Sequence, residues 1–271
     1  MSEKFEELAL GKEGWLKDRL KEVKSLLVAF SGGVDSTYLS AVAVEVLGEK
    51  CALVISDTPS LPRDELAEAQ EIAKRFGWKL YTIKTKEFED QRYLLNDQNR
   101  CYYCKSVLFS EMWEFANQNG FSELACGVTA DDNLDPTRVG HRAIREFGVL
   151  TPLSDVGLTK MEVRYLSKLR GLPTAEKPSF ACLSSRVPKG IVITVDILKK
   201  VEEGEKFLKS LGFRQYRVRH HNDLARIEVE SSDIPKIASP EMRKVIVDKF
   251  KEIGYRYVTL DIEGYRSGST A

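Results

Sequence analysis

The stretch Leu26-Leu27-Val28-Ala29-Phe30-Ser31-Gly32-Gly33-Val34-Asp35-Ser36-Thr37 decides the fold. Its five uninterrupted apolar residues suit a strand buried on both faces of a parallel sheet. Gly32 and Gly33 then allow a tight turn that presents backbone N–H groups to a ligand. The helix that follows adds unpaired donors and its dipole, both of which favour an anion. Ser31, Gly32, Gly33, Val34, Asp35 and Ser36 therefore read as a phosphate site. The spacing differs from GxxxxGK[ST], and the lysine of that motif is missing. A Gly-Gly turn in an ordinary strand-turn-helix unit is the plain alternative, and the Ser/Asp chemistry argues against it. A carboxylate beside a phosphate repels it, so Asp35 is better suited to hold the Mg²⁺ that neutralises a triphosphate.

Outward from this stretch, strands and helices alternate. Residues 51–56 form a second apolar run, ended by Asp57-Thr58-Pro59, and Pro62 opens an amphipathic helix over 63–76. Residues 80–83 and 124–127 read as further strands, which gives an α/β class with a doubly wound, mostly parallel sheet. Ligands to such sheets gather at the carboxyl ends of the strands, where Ser31, Asp57 and Gly127 arrive. Residues 5–23 have helical spacing, with an interruption expected at 11–14. Thr159 with Glu162 forms a capping box for a helix that Gly171 and Pro173 end. From Thr194 the pattern becomes helix-strand-strand-helix-strand, which predicts a second, smaller α/β domain over 191–271 after a first over 1–190. The tail 263–271 is small and polar and is expected to fray.

The 271 residues carry 41 acidic and 41 basic side chains and an apolar fraction of 42%. That balance fits a globular protein with a sizeable core and gives no sign of a broad nucleic-acid surface. No apolar run approaches the length of a membrane span, and the acidic amphipathic N-terminus is unlike a signal peptide, so a cytoplasmic protein is expected. In that reducing compartment the five cysteines argue for metal or sulfur chemistry, or for packing, ahead of disulfides.

Cys101 and Cys104, in Asn99-Arg100-Cys101-Tyr102-Tyr103-Cys104-Lys105, precede a helix predicted over 106–117. A CxxC there is a redox pair, half of a zinc site, or two ligands of an iron-sulfur cluster. There is no second CxxC. Cys51 and Cys126 lie in or beside apolar strands, where a thiol behaves as a small hydrophobe. Cys182 lies in Lys177-Pro178-Ser179-Phe180-Ala181-Cys182-Leu183-Ser184-Ser185-Arg186, a turn-like segment beside a basic residue, and is the reactive candidate. Three thiolates can hold a cubane cluster by three irons and leave the fourth open for exogenous sulfur. Spacing alone leaves cluster, zinc and disulfide open.

The loop at 31–36 resembles the SGGxDS loop of the PP-loop ATP pyrophosphatases, which split ATP to AMP and pyrophosphate to adenylate a substrate. Beyond it, Gly127-Val128-Thr129-Ala130-Asp131-Asp132, Arg142-Ala143-Ile144-Arg145-Glu146-Phe147-Gly148-Val149, Pro152-Leu153, Gly157-Leu158-Thr159-Lys160, and Gly171-Leu172-Pro173 through Cys182-Leu183-Ser184-Ser185-Arg186 resemble the LarE family. Those enzymes are ATP-dependent sulfur transferases of nickel-pincer nucleotide cofactor biosynthesis. The resemblance implies ATP and Mg²⁺ as cofactors and pyridinium-3,5-biscarboxylic acid mononucleotide as the small-molecule substrate, whose carboxylates become thiocarboxylates. It implies ATP binding by residues 31–36 and Gly127. In the single-cysteine type the residue at Cys182 gives up its own sulfur; Cys101 and Cys104 make this chain similar to the three-cysteine type, in which Cys101, Cys104 and Cys182 hold a [4Fe-4S] cluster that carries sulfur. The sulfur source is open, and self-association into a homo-oligomer is expected. The turn at 134–140 departs from the family pattern.

Alternation places Arg217 and Arg219 on one strand face. Paired guanidiniums suit a phosphate, although a solvated strand face is the bland reading. The resemblance assigns Arg217 and Arg219 to the mononucleotide phosphate, and Arg186 suits the same anion or a lowered thiol pKa. The rivals are a tRNA thiolation enzyme, an amide-forming PP-loop synthetase, and a nucleotide-sensing or zinc-stabilised binding module.

Overall fold

A computed structural model describes residues 2–133, 139–178 and 181–266. The chain divides into two compact units, Met1–Glu89 with Cys101–Phe180 and Asp90–Arg100 with Ala181–Ala271. The division differs from a break at residue 190: the stretch 181–190 goes with the second unit, and so does the excursion 90–100. The reason is local bonding. The Asn96 amide donates to the carbonyls of Val187, Pro188 and Ile191 at 3.2, 2.8 and 3.0 Å.

The first unit opens with helix α1 (Glu3–Lys21), capped by the Ser2 hydroxyl accepting from Phe5 N. The interruption expected at 11–14 does not occur. Gly11 and Gly14 face open space, and their cost of roughly 1 kcal/mol each is offset by burial of Ala9, Leu16 and Leu20. Strand β1 (Leu26–Ala29), helix α2 (Val34–Leu47), strand β2 (Cys51–Asp57), helix α3 (Arg63–Arg75) and strand β3 (Leu80–Lys84) follow. Helix α4 (Arg100–Asn119), strand β4 (Glu123–Cys126), three short helices (Ala130–Asn133, His141–Glu146 and Pro152–Asp155) and helix α5 (Lys160–Leu169) come next, Arg100 itself belonging to the second unit. The sheet order is β3-β2-β1-β4, every pair parallel, with Leu26 opposite both Cys51 and Glu123.

Alternate residues of the central strand supply two cores, as the period of two requires. Leu26 and Val28 pack with Leu39, Ile72 and Leu166, while Leu27 packs with Phe109, Met112 and Ala116 of α4 on the other face. Helices on both faces of a parallel sheet make this a doubly wound α/β unit. Helix α5 carries the capping box read from the sequence, with Thr159 and Glu162 bonding reciprocally, and Gly171 (φ +63°) ends it.

The second unit contains helix α6 (Val195–Ser210), strands β5 (Tyr216–His221) and β6 (Leu224–Val229), helix α7 (Pro240–Ile253) and strand β7 (Tyr257–Leu260). The order is β5-β6-β7, antiparallel and then parallel. Residues 263–266 do not fray as expected, Tyr265 N donating to Val229 O at 2.7 Å, and the rest of the expected fraying, 267–271, lies outside the described residues. The family departure at 134–140 falls largely on 134–138, outside the described residues.

Candidate functional site

The edge that collects the carboxyl ends of β1, β2 and β4 also holds the Ser31-to-Ser36 loop. Gly32 adopts φ +67°, and a Cβ there would lie 2.8 Å from Ala69 Cβ of α3, so glycine is required twice over. The two hydroxyls hold the loop's curl. Ser36 Oγ accepts from Ser31 N at 3.2 Å and donates to Gly33 O at 3.2 Å, and the Ser31 and Ser36 hydroxyls are 3.1 Å apart. Gly33 caps α2, whose first-turn N–H groups have no intrahelical acceptor and so favour an anion. Gly127, placed at this edge by β4, approaches so closely that a Cβ would lie 2.8 Å from Ser36 N and 2.9 Å from Asp35 C. Its observed part is thus to let β4 pass against the first turn of α2.

Asp35 is held by Lys160, the first residue of α5, in an ion pair, while its Oδ1 is buried without a hydrogen-bond partner. Burial pushes the Asp35 carboxyl above its ordinary value, Lys160 pulls it back, and Asp132 adds to the rise. An orphaned carboxylate oxygen beside a second acidic group fits a divalent cation better than it fits a buried ion pair alone. Asp131 and Asp132 also have local work: Asp131 Oδ2 accepts from Lys160 N at 2.5 Å, and Asp132 Oδ2 accepts from Thr129 N at 3.0 Å. A second cation, Lys177, donates to Gly32 O at 3.3 Å and pairs with Glu65 and Glu68 at 2.7 and 3.0 Å. Arg164 fixes its backbone by donating to Ala175 O and Lys177 O, both at 2.7 Å. Lys160 and Lys177 flank the phosphate loop and were missed in the sequence. The only available signal was their place in the family-like segments, since the side-chain partners of both, Asp35 for Lys160 and Gly32, Glu65 and Glu68 for Lys177, lie more than 100 residues away.

Cys101 and Cys104 lie in the first two turns of α4, three residues apart and so on one face. The helix starts at residue 100 rather than 106, led in by Asp97, whose carboxylate accepts from Asn99 N at 2.7 Å. Cys101 is exposed and Cys104 half-buried, whereas Cys51 and Cys126 are buried, with burial pushing their thiols up to about 12 and about 11. Among the described residues no group of three or more His, Cys, Asp or Glu side chains is gathered to hold a metal ion.

In the second unit the Cys182 thiol is exposed on a backbone that is firmly held. Cys182 caps a short 3-10 turn, Leu183–Arg186, whose carbonyls face three buried arginines. Arg186 donates to Ala181 O at 2.6 Å and Cys182 O at 3.1 Å, Arg219 to Ser185 O at 3.1 Å, and Arg100 to Ser184 O at 2.8 Å. Arg186 and Arg219 are themselves matched by carboxylate forks, Glu205 on α6 (2.9 and 3.1 Å) and Glu228 on β6 (2.9 and 2.8 Å). Arg217 donates to Tyr216 O at 2.6 Å, and its guanidinium carbon lies 4.9 Å from the Tyr265 ring centroid. Burial, then the charge of Arg186, holds the Arg217 guanidinium below its ordinary pKa. Of the three arginines named from the sequence, Arg186 and Arg219 thus hold the Cys182 turn, and Arg217 is within electrostatic reach of both. The alternation put Arg217 and Arg219 on one face correctly, but Glu205, Glu228, Arg100 and Tyr265 had no local signal.

The family described as asparagine synthase matches residues 15–100, which contain β1, the loop and α2. A parallel sheet whose central strand runs through Ser-Gly-Gly-x-Asp-Ser into a helix N-terminus defines an ATP-dependent enzyme of the PP-loop class. The chain is 40% identical over 253 residues to an uncharacterized protein of Synechocystis sp., covering 93% of this chain and 94% of that protein. It is 33% identical over 258 residues to the pyridinium-3,5-bisthiocarboxylic acid mononucleotide synthase of Lactiplantibacillus plantarum, covering 95% and 92%. An uncharacterized protein of Methanocaldococcus jannaschii is 31% identical over 255 residues, covering 93% and 96%. The chain belongs to the LarE family of the PP-loop class. Among the described residues no helix is long and apolar enough to cross a membrane.

Proposed function

We propose that this chain uses ATP to adenylate the carboxylates of pyridinium-3,5-biscarboxylic acid mononucleotide and converts them to thiocarboxylates. The observation that most supports the reading is the Cys182 turn, an exposed thiol on a backbone held by arginines that a phosphorylated acid would also engage. The α2 N–H groups and the Ser31 and Ser36 hydroxyls hold the phosphates of ATP, with Lys160 and Lys177 balancing charge on either side. Asp35 would hold Mg²⁺ through its orphaned Oδ1; the ion supplies neutralisation of the triphosphate. A substrate carboxylate oxygen then attacks the α-phosphorus and pyrophosphate leaves. The acyl-adenylate is needed because a carboxylate is a poor electrophile and AMP a good leaving group. A sulfur nucleophile attacks the acyl carbon, and AMP departs with the bridging oxygen. Arg217 and Arg219, with Arg186 beside them, hold the substrate phosphate.

Cys101, Cys104 and Cys182 are the accessible thiols and have the donor chemistry of a [4Fe-4S] cluster held by three irons, whose open iron would supply a place for exogenous sulfide. Their assembly around one cluster is part of the proposal. An anaerobic preparation assayed for iron and labile sulfide, with intact mass before and after turnover, tests it. The expected result is iron and sulfide in the wild type, their loss in Cys101→Ala, and unchanged protein mass. Iron-free protein that loses the elements of H₂S at Cys182 would replace the cluster with sacrifice of that residue.

A further inference from the structure

The C-terminal segment carries an aromatic ring onto the arginine site of the second unit. Its path is built in detail. Asp261 N donates to Ile227 O at 2.9 Å, Gly264 N to Asp261 O at 3.1 Å, and Tyr265 N to Val229 O at 2.7 Å. Gly264 adopts φ +75°, and a Cβ there would lie 2.8 Å from Ser231 Oγ and 3.0 Å from Val229 O, so only glycine lets the chain lie this close to β6. Arg266 closes the turn on Glu263 at 2.6 Å. The product of this construction is Tyr265, half-buried, with the buried Arg217 guanidinium 4.9 Å from its ring centroid. That spacing is within the range of a cation–π contact. Val229 pairs with Tyr216 in the β5/β6 ladder, so the strand that carries Arg217 and the backbone that carries Tyr265 are fixed to the same partner.

From this arrangement we propose that Tyr265 determines substrate specificity by taking the cationic pyridinium ring on the face that Arg217 now occupies. The inference rests on the proposed function and goes beyond it by assigning the residue that recognises the ring. Pyridinium-3,5-biscarboxylic acid mononucleotide carries, at the two ends of one ribose, a phosphate and a flat ring whose quaternary nitrogen is positive and whose two carboxylates project from its edge in the ring plane. Phosphate draws a guanidinium into charge-assisted hydrogen bonds, which are about twice as strong as neutral ones. The Arg217 guanidinium then leaves the tyrosine ring for the phosphate, and the vacated face, negative by its quadrupole, receives the electron-poor pyridinium ring with its positive nitrogen. A neutral ring of the same shape gains only packing there. The exchange keeps one cation over the ring in both states, and it makes phosphate binding and ring binding mutually dependent.

Binding can be measured by calorimetry with no ATP present, using four probes: pyridinium-3,5-biscarboxylic acid mononucleotide, nicotinamide mononucleotide, its reduced form with an uncharged dihydropyridine ring, and ribose 5-phosphate. The expected wild-type result is a preference of ~5- to 30-fold for the oxidised over the reduced ring. In Tyr265→Leu that preference should fall to within about 2-fold while the affinity for ribose 5-phosphate is retained, and Tyr265→Phe should keep most of it. An unchanged preference in Tyr265→Leu overturns the proposal, as does an equal loss of ribose 5-phosphate binding, which marks Tyr265 as a mere support for Arg217. If the wild type binds neither mononucleotide, the proposed substrate itself is wrong, an outcome separable from both.

Discussion

Gly127→Ala probes the join between the sheet and the phosphate loop. Gly127 does not need a left-handed backbone; what it needs is the absence of a side chain, because a Cβ would lie 2.8 Å from Ser36 N, 2.9 Å from Asp35 C and 3.0 Å from Ser36 Cα. All three contacts are backbone, so no rotamer change relieves them, and the first turn of α2 must move. Overpacking of this kind costs about 1–3 kcal/mol, a fall of roughly 2–12 °C in the unfolding midpoint. The displaced turn also carries the N–H groups proposed to hold phosphate. Loss of even one charge-assisted bond, at about 1.5–3 kcal/mol, weakens nucleotide binding by roughly 10- to 100-fold. Thermal unfolding and equilibrium titration with a fluorescent ATP analogue read the two effects separately. A variant with wild-type midpoint and wild-type nucleotide affinity would refute the reasoning that this glycine exists for the close approach.

Asp35→Asn should stabilise the ligand-free protein at neutral pH while abolishing Mg²⁺-dependent nucleotide binding. Because burial raises the carboxyl above its ordinary value of 3.8, the folded state binds more protons than the unfolded one between 3.8 and the raised value. Stability therefore falls as pH rises through that window, and the stabilisation from asparagine, read by unfolding midpoints across pH, should vanish below it. In cluster-free protein, alkylation with iodoacetamide at pH 8 followed by peptide mass spectrometry should label Cys101 and Cys182 first and Cys104 more slowly, and a bound cluster should protect all three. Cys51 and Cys126, whose thiols burial pushes up to about 12 and about 11, should stay unlabelled until the protein unfolds. Glu205→Gln breaks a buried fork with Arg186 and weakens an acceptor for Val218 N, so it should cost about 3–5 kcal/mol, read as a lowered unfolding midpoint, and in cluster-free protein make Cys182 alkylation faster as its turn loosens.

Features carried by local sequence were legible. The apolar run at 26–30, the glycines of the loop, the Thr159 capping box and the alternation of Arg217 with Val218 each act through neighbours a few residues away. What was not legible depends on distant partners. Lys160 meets Asp35 and Lys177 meets Gly32 only once the sheet has brought their segments to one edge. Residues 90–100 have neither a strand nor a helix period, so nothing marked them as the brace of 184–191 that Asn96, Arg100 and Tyr93 provide; Tyr93 OH lies 2.6 Å from Ser184 Oγ. Glu205 reads as one more charge on an amphipathic helix, and its burial follows from Arg186. Gly11 and Gly14 misled in the opposite direction, because tertiary burial outweighed a weak local propensity.

The central claim is that nucleotide cleavage at the Ser31-to-Ser36 loop drives sulfur onto a carboxylate. Its most direct test is an anaerobic single-turnover reaction of the protein with ATP, Mg²⁺, sulfide and pyridinium-3,5-biscarboxylic acid mononucleotide, with nucleotides and substrate followed by mass spectrometry. The account predicts AMP and pyrophosphate in step with replacement of a carboxylate oxygen by sulfur, and in Cys182→Ala an acyl-adenylate that forms without gaining sulfur. Release of ADP and phosphate, or AMP formation with no change in the substrate, would contradict it.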